Sequence, residues 1–336
     1  MTRAVIAWVP YHRRSELLAQ HLGASLHFVR PHAPRRRLNA PLRYAVQAAR
    51  TWAILRRERP DVVLVQNPPI PAVLVAAVYA WLHRAHYIID SHTGAFMSAE
   101  WRWSLGLHRV LSAGALTTIV HNAAQARIVE AWGCDHRVIG YTPGDYGGRC
   151  DYSLNGAFSV AVVSSFADDE PLEAVFAAAR QHPDMALYLT GDATRASPAL
   201  LASRPPNCHL TGYLPYDRYA GLLAGADAVM DLTSRDGTLL MGGFEAVSLG
   251  VPLITSDWPI LRAYFDRGTV HVANTATGVA GGLRRARQEN AALREGMRGL
   301  RRRLHAEWER ALADLEGLIR GAEAARHASP ARGWRR

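Results

Sequence analysis

The stretch GGFEAVSLGVPLITSD (residues 242–257) places two glycines at the head of a small, apolar helix and follows it with Gly250-Val251-Pro252 and an apolar triplet. Glycines there let another group approach the backbone closely. The N–H groups of a first helical turn have no partner within the helix and sit at the positive end of its dipole, so a phosphate is welcome. Gly250 suits a C-terminal cap, Pro252 cannot continue the helix, and Leu253-Ile254-Thr255 reads as a short buried parallel strand. This reading puts the one acid, Glu245, in the first turn. There it either balances the dipole or accepts hydrogen bonds from vicinal hydroxyls such as those of a ribose.

Outward from this stretch, apolar runs alternate with helical patterns. In the first half the expected strands are 3–9, 25–30, 61–66, 86–92, 116–122 and 137–141, and the expected helices are 15–23, 42–59, 70–84, 101–114 and 123–133. Residues 31–41 read as a loop. Residues 142–156, rich in Gly, Pro, Asp and Asn, read as a linker. The pattern then restarts, with strands at 158–165, 185–192, 208–212, 228–233, 251–255 and 269–274. Long basic helices follow from about 276 to 325, and the end, HASPARGWRR, reads as frayed. Alternation at this spacing means parallel sheets with right-handed crossovers. The expected fold class is α/β, with two Rossmann-like domains facing across a cleft at 1–150 and 157–280, and basic helices with a tail at 281–336. Ligands of such sheets bind beyond the carboxyl ends of the strands.

The 336 residues are 49% apolar and 20% charged, which fits a globular chain and excludes a disordered one. Three cysteines lie far apart with no CxxC spacing, which excludes a disulfide framework or zinc finger and fits a reducing cytoplasm. No signal peptide is visible at the start. All 39 basic residues are arginine. Residues 1–155 hold 18 of them against nine acids, whereas the rest are nearly balanced. A basic first half implies an anionic partner, whether phosphate-bearing substrate, nucleic acid or acidic membrane surface. The basic helices at 284–320 carry only Trp308 as an aromatic, which argues against nucleic acid. Residues 74–82 are strongly apolar but too few to span a bilayer. The mixture of Trp and Arg in WRWSLGLHRVL (101–111) suits either a membrane interface or ordinary packing.

The segment at 242–257 resembles the donor-site helix of GT-B glycosyltransferases of the family-4 type, whose E-x7-E motif is followed by A, G and P as at Glu245-Ala246, Gly250 and Pro252. The longer stretch 233–274 is similar to a bacterial branch of these enzymes. QNPPIP (66–71), IIDSHTGAF (88–96) and SSFADDEPLEAV (164–175) resemble pieces of the eukaryotic β-mannosyltransferase that extends dolichol-linked chitobiose. The resemblance implies that Glu245 holds a ribose and that the N–H groups near Gly242 and Gly243 face a diphosphate. It implies a UDP- or GDP-sugar donor, no other cofactor and no metal. The first Glu of E-x7-E falls at Gly237, beside Asp236. The cation usual at the start of the second domain is replaced by SSFADDEP, which leaves Arg235, Thr238 and Ser234 as the candidates to brace the diphosphate. Asp168-Asp169 reads as helix capping rather than a metal site.

On the other half, Asp90-Ser91-His92 ends a strand, where packing explains polar residues poorly. Asp90 and His92 are the candidate catalytic pair: Asp90 orients His92, or either takes a proton from an acceptor hydroxyl. His12, Arg13 and Arg14 follow the first strand and could hold an anionic acceptor, or form a solvated loop with Ser15 capping the next helix. His121-Asn122 reads as packing. The combined expectation is a metal-independent hexosyltransferase acting on a glycan or lipid-linked acceptor in cell-surface polysaccharide or glycolipid synthesis, cytoplasmic and peripheral at the inner membrane face. A sugar-nucleotide epimerase and a non-catalytic scaffold are the alternatives.

Overall fold

The computed structural model describes residues 2–30, 40–141, 143–144 and 150–328. Most of the loop read at 31–41, part of the linker at 142–156 and most of the tail HASPARGWRR lie outside the described residues. The chain divides into two compact units, 1–141 with 307–336, and 142–306.

In the first unit the elements run β1 (Arg3–Ala7), α1 (Arg13–His21), β2 (Ser25–Phe28), α2 (Ala40–Glu58), β3 (Val62–Asn67) and α3 (Ile70–His83). They continue with β4 (His86–Ser91), α4 (Thr93–Met97), α5 (Leu105–Gly114), β5 (Thr117–Val120), α6 (Ala123–Ala131) and β6 (His136–Val138). All neighbouring strands pair in parallel, in the order β2-β1-β3-β4-β5-β6. The residues of β3 are buried throughout, as a strand covered on both faces requires. One face packs under α2, α3 and α5 through Val63, Val65, Ile89 and Tyr79. The other packs Val5, Leu64, Ile88 and Ile119 against Leu18.

The second unit runs β7 (Phe158–Val162), α7 (Leu172–Arg180), β8 (Met185–Thr190), α8 (Pro198–Ala202), β9 (Cys208–Gly212), α9 (Tyr216–Gly225) and β10 (Ala228–Asp231). It continues with α10 (Met241–Leu249), β11 (Leu253–Ser256), α11 (Pro259–Tyr264), β12 (Thr269–Val272), α12 (Ala276–Gln288) and α13 (Asn290–Ala328). The sheet order, β12-β11-β10-β7-β8-β9, reverses direction between β7 and β10. That reversal is the topological switch point of a Rossmann sheet. Gly250 ends α10 at φ 70°, a left-handed cap.

The helices set apart at 281–336 do not form a separate body. The 39-residue α13 puts Leu293 into the core of the second unit and Trp308, Leu312, Leu315 and Ile319 into that of the first. Strands are shorter than their apolar runs suggest, because an apolar run continues past the last ladder bond. The short helices α4 and α8 lack the length for a periodic pattern and were not expected. His12, not Ser15, caps α1: its ring accepts from the Ser15 N–H, and Ser15 itself is buried within the helix.

Candidate active site

The polar ends of three strands in the first unit meet around Asp90. This carboxylate is fully buried at the end of β4. Arg14, from the first turn of α1, donates from Nε to both carboxylate oxygens at 3.2 Å. The other guanidinium nitrogens donate to the carbonyls of Gly140 (2.7 Å) and Ile139 (2.9 Å), and the group lies over the Trp308 ring. Burial alone would raise the Asp90 carboxyl. The charges of Arg14 and His92, with the nearby His121 and the hydrogen bond to His92, overcome it and hold the carboxyl well below the usual range. The anion-holding role expected of Arg14 is therefore corrected: its donors are committed inside the fold. Arg13 points outward and pairs with Glu16 at 2.7 Å.

Three imidazoles surround the same carboxylate. His92, which precedes α4 as its cap residue, brings Nε2 to 3.2 Å from Asp90 Oδ2. His121, just beyond β5, brings Nε2 to 3.8 Å from Oδ1. The His12 and His121 rings stand edge-on to His92, at 4.7 and 4.5 Å between centroids. Burial, followed by the charge of His92 for His12 and of Arg14 for His121, pushes both down to about 4. A deeper layer steadies the strand end: His108 Nε2 lies 2.8 Å from Ser91 Oγ and 3.2 Å from Asn67 Nδ2. His121 is the site residue the sequence reading missed. Like Asp90, it ends a strand, which is the sign that could have found it.

Among the described residues, Asp90, His92 and His121 offer ligand atoms within 4.8 Å of one another. Asp90 and His92 lie two residues apart at the end of β4, and His121 follows the adjacent β5. The Arg14 guanidinium already donates to both Asp90 oxygens.

In the second unit, Glu245 is the fifth residue of α10, so it sits in the second turn and not the first. The first-turn glycines are closely approached, but by the protein itself. A Cβ on Gly242 would fall 2.5 Å from Asp231 Oδ2, and one on Gly243 2.7 Å from Phe265 Cζ. The Asp231 carboxyl thus lies against the first-turn backbone of α10 at Gly242, the place where the resemblance puts a diphosphate. Burial pushes Asp231 up to about 8, with the nearby Glu245 charge adding to it. Burial also pushes Glu245 up to about 7, against a hydrogen bond from the Tyr219 hydroxyl. Asp231 was missed, although an acid closing an apolar strand was there to be read.

The stretch between β10 and α10 holds the remaining candidates. Arg235 is exposed and pairs with Asp169 at 3.1 Å, and Asp169 also accepts from the Thr233 hydroxyl at 2.7 Å. Asp169 thus braces this stretch, whereas α7 is preceded by Pro171 without a side-chain cap. Asp236 accepts from the Gly237 N–H at 2.6 Å, and Gly237 has φ 75°. The backbone therefore favours glycine where the first Glu of E-x7-E would fall. Thr238 is half-buried between this turn and α10.

Residues 170–315 match the family model described as glycosyl transferase-like. No curated protein matches the sequence. Among solved structures, a sucrose-phosphate synthase from Thermosynechococcus elongatus is 14% identical with a TM-score of 0.72, covering 97% of this chain and 100% of its own. Anabaena HepE in complex with UDP and glucose is 13% identical, TM-score 0.68, with coverage of 94% and 100%. A Listeria monocytogenes protein assigned as a UDP-N-acetylglucosamine 2-epimerase is 13% identical, TM-score 0.64, with coverage of 88% and 90%. The fold is GT-B.

Within the GT-B frame, the family match begins at Glu170 and includes all the donor-side candidates. Glu170 ties down the turn after β7 by accepting from the Ser164 and Ser165 hydroxyls at 2.5 and 2.8 Å. The structure gathers Gly242, Gly243 and Glu245 around Asp231 and leaves Arg235 and Asp236 on the adjoining turn. Among the described residues, the acceptor-side candidates Asp90, His92, His12 and Arg14 form one connected group, with Arg13 at its outer margin.

Proposed function

We propose that the protein is a glycosyltransferase that takes a hexose from a UDP- or GDP-sugar, with donor recognition in the second unit and acceptor recognition in the first. The observation that carries this reading is the match to a glycosyl transferase-like family over the part of a GT-B fold that contains α10 and Glu245. A half-buried carboxylate on this helix suits paired ribose hydroxyls. The HepE complexes with UDP and UDP-glucose favour uridine as the base. The acceptor is a glycan or lipid-linked saccharide of cell-surface polysaccharide or glycolipid synthesis, met at the inner membrane face. The family-4 and chitobiose mannosyltransferase likenesses differ on stereochemistry, retention in the first and inversion in the second.

In the inverting reading, an acceptor hydroxyl attacks C1 of the sugar while the C1–O bond to the diphosphate breaks. His92 takes the hydroxyl proton, and the nucleoside diphosphate leaves with the bonding pair. Asp90 is too deeply buried to reach a substrate, so it orients His92. The exposed Arg235 is the cation available to the leaving group. No metal is required in this scheme, so transfer persists in chelator.

A second reading, a GT-B scaffold without catalysis, is favoured by the Asp231 carboxyl lying against Gly242 at the start of α10. Calorimetric titration with UDP, GDP and their hexose conjugates separates the two. Micromolar binding of one conjugate, together with its slow hydrolysis or transfer, is expected. Absence of nucleotide binding returns the protein to the scaffold reading.

A further inference from the structure

The helices over one face of the first sheet leave an apolar stripe uncovered. In α3, Ile70, Val73, Ala76 and Ala80 are buried toward the sheet. Leu74, Val78 and Trp81, spaced four and three residues apart, lie on the outer face and are 42%, 41% and 80% exposed. The neighbouring α5 and the turn before it add Val110 and Trp103, 68% and 69% exposed. Helix α3 packs beside both α2 and α5, so these side chains belong to one helical layer. Such a concentration of large apolar groups is uncommon on a surface without a partner.

The charge around the stripe identifies that partner. Arg84, Arg102 and Arg109 are exposed and stand beside Trp81, Trp103 and Val110 in the chain. Helices α3 and α5 contain no Asp or Glu. A second copy docked on the same face would set arginine against arginine, which self-complementary interfaces avoid. A bilayer with anionic headgroups meets both needs. Trp rings and arginine stems lie at the headgroup level, the apolar tips enter the acyl boundary, and the guanidiniums pair with lipid phosphate. Among the described residues no helix is long and apolar enough to cross a membrane, so the contact is a surface one.

We propose that the outer face of α3 and α5, through Trp81, Trp103 and Val110 with Arg84, Arg102 and Arg109, docks the first unit on an anionic lipid surface. This rests on the transferase reading only for what the lipid carries. The test is co-sedimentation of the purified chain with phosphatidylcholine vesicles, with and without phosphatidylglycerol, at low and physiological salt. Binding to the phosphatidylglycerol vesicles is expected, weakening with salt. The Trp81→Ser, Trp103→Ser double variant should lose about ten-fold in partitioning on those vesicles. Arg102→Gln and Arg109→Gln should each lose about five-fold there, and little on neutral vesicles. All these residues are exposed, so unchanged melting confirms that the variants fold. The proposal is overturned if anionic vesicles are not bound, if neutral ones are bound equally, or if the Trp variant partitions as the parent does. It is also overturned if the patch proves to make a dimer that the Trp variant dissolves. Titration of the same samples with UDP- and GDP-sugars keeps the outcomes apart: vesicle binding without nucleotide binding retains the docking face and removes the transferase, and the reverse removes only the docking face.

Discussion

Asp90 ends β4 in the first sheet and Asp231 ends β10 in the second. Both are buried at the carboxyl edge of a parallel sheet, beside the start of a following helix. Asp90 has Arg14 on both oxygens and imidazoles around it, and its carboxyl is held well below the usual range. Asp231 lies against Gly242 of α10, and burial, with Glu245 and Glu170 as charged neighbours, pushes its carboxyl up to about 8. One strand-end position thus favours the charged carboxylate in the first sheet and the neutral acid in the second, with the Arg14 charge chief among the groups that hold Asp90 down. In the first unit the arginine excess reaches the interior. In the second it stays at the surface, as with Arg235.

Removing the cation should give the largest effect. Arg14→Met leaves Asp90 charged and buried without its partner, and denaturant unfolding should show a loss of about 3–5 kcal/mol. A loss below about 1 kcal/mol would mean that the imidazoles alone can balance the carboxylate. On the catalytic side, His92→Ala should lower turnover by roughly 10²–10⁴-fold while nucleotide affinity holds. Parallel losses in transfer and nucleotide binding would show that His92 supports the fold or the donor.

The second unit should respond more mildly. Glu245→Gln should weaken nucleotide binding by about 1–3 kcal/mol in calorimetry. Unchanged affinity would return Glu245 to a purely local role with Tyr219. Asp231→Asn keeps a neutral, hydrogen-bonding group and should change stability below pH 4 by less than about 1 kcal/mol. It should also flatten the alkaline limb of the stability curve. The parent Asp231 keeps its proton on folding up to about 8, against an ordinary 3.8. Its contribution is therefore fully present below pH 4 and declines as pH rises through 8. His108 runs the other way. Pushed down to about 4 by burial, it contributes above about pH 6.5 and loses that contribution as pH falls through 4. A parent protein with equal stability at pH 6 and pH 9 would break the contrast between the two aspartates.

The alternation of strands and helices was legible because buried parallel strands are continuous apolar runs, as in β3 and β8. Asp90 and His92 were legible because a polar residue at a strand end has little packing reason to be there. The Arg14 role was not, since its carboxylate partner lies 76 residues away and an arginine after a first strand looks equally suited to a ligand. The glycines of α10 were read correctly as permitting close approach. The approaching group at Gly242, Asp231, sits eleven residues upstream, at the end of β10. Register across a sheet brings such pairs together, and local spacing does not display it.

The long helix α13 has a consequence for the order of synthesis. Trp308, Leu312, Leu315 and Ile319 fill the same core as Val5, Leu64 and Ile88. A ribosome delivers those side chains only after the whole of the second unit has emerged. The first unit therefore starts early and closes late, with Trp308 reaching Arg14 only after the second unit has been made. A fragment stopped at residue 150 would expose a sheet face that four large side chains should cover, and would be a substrate for chaperones rather than a free-standing domain.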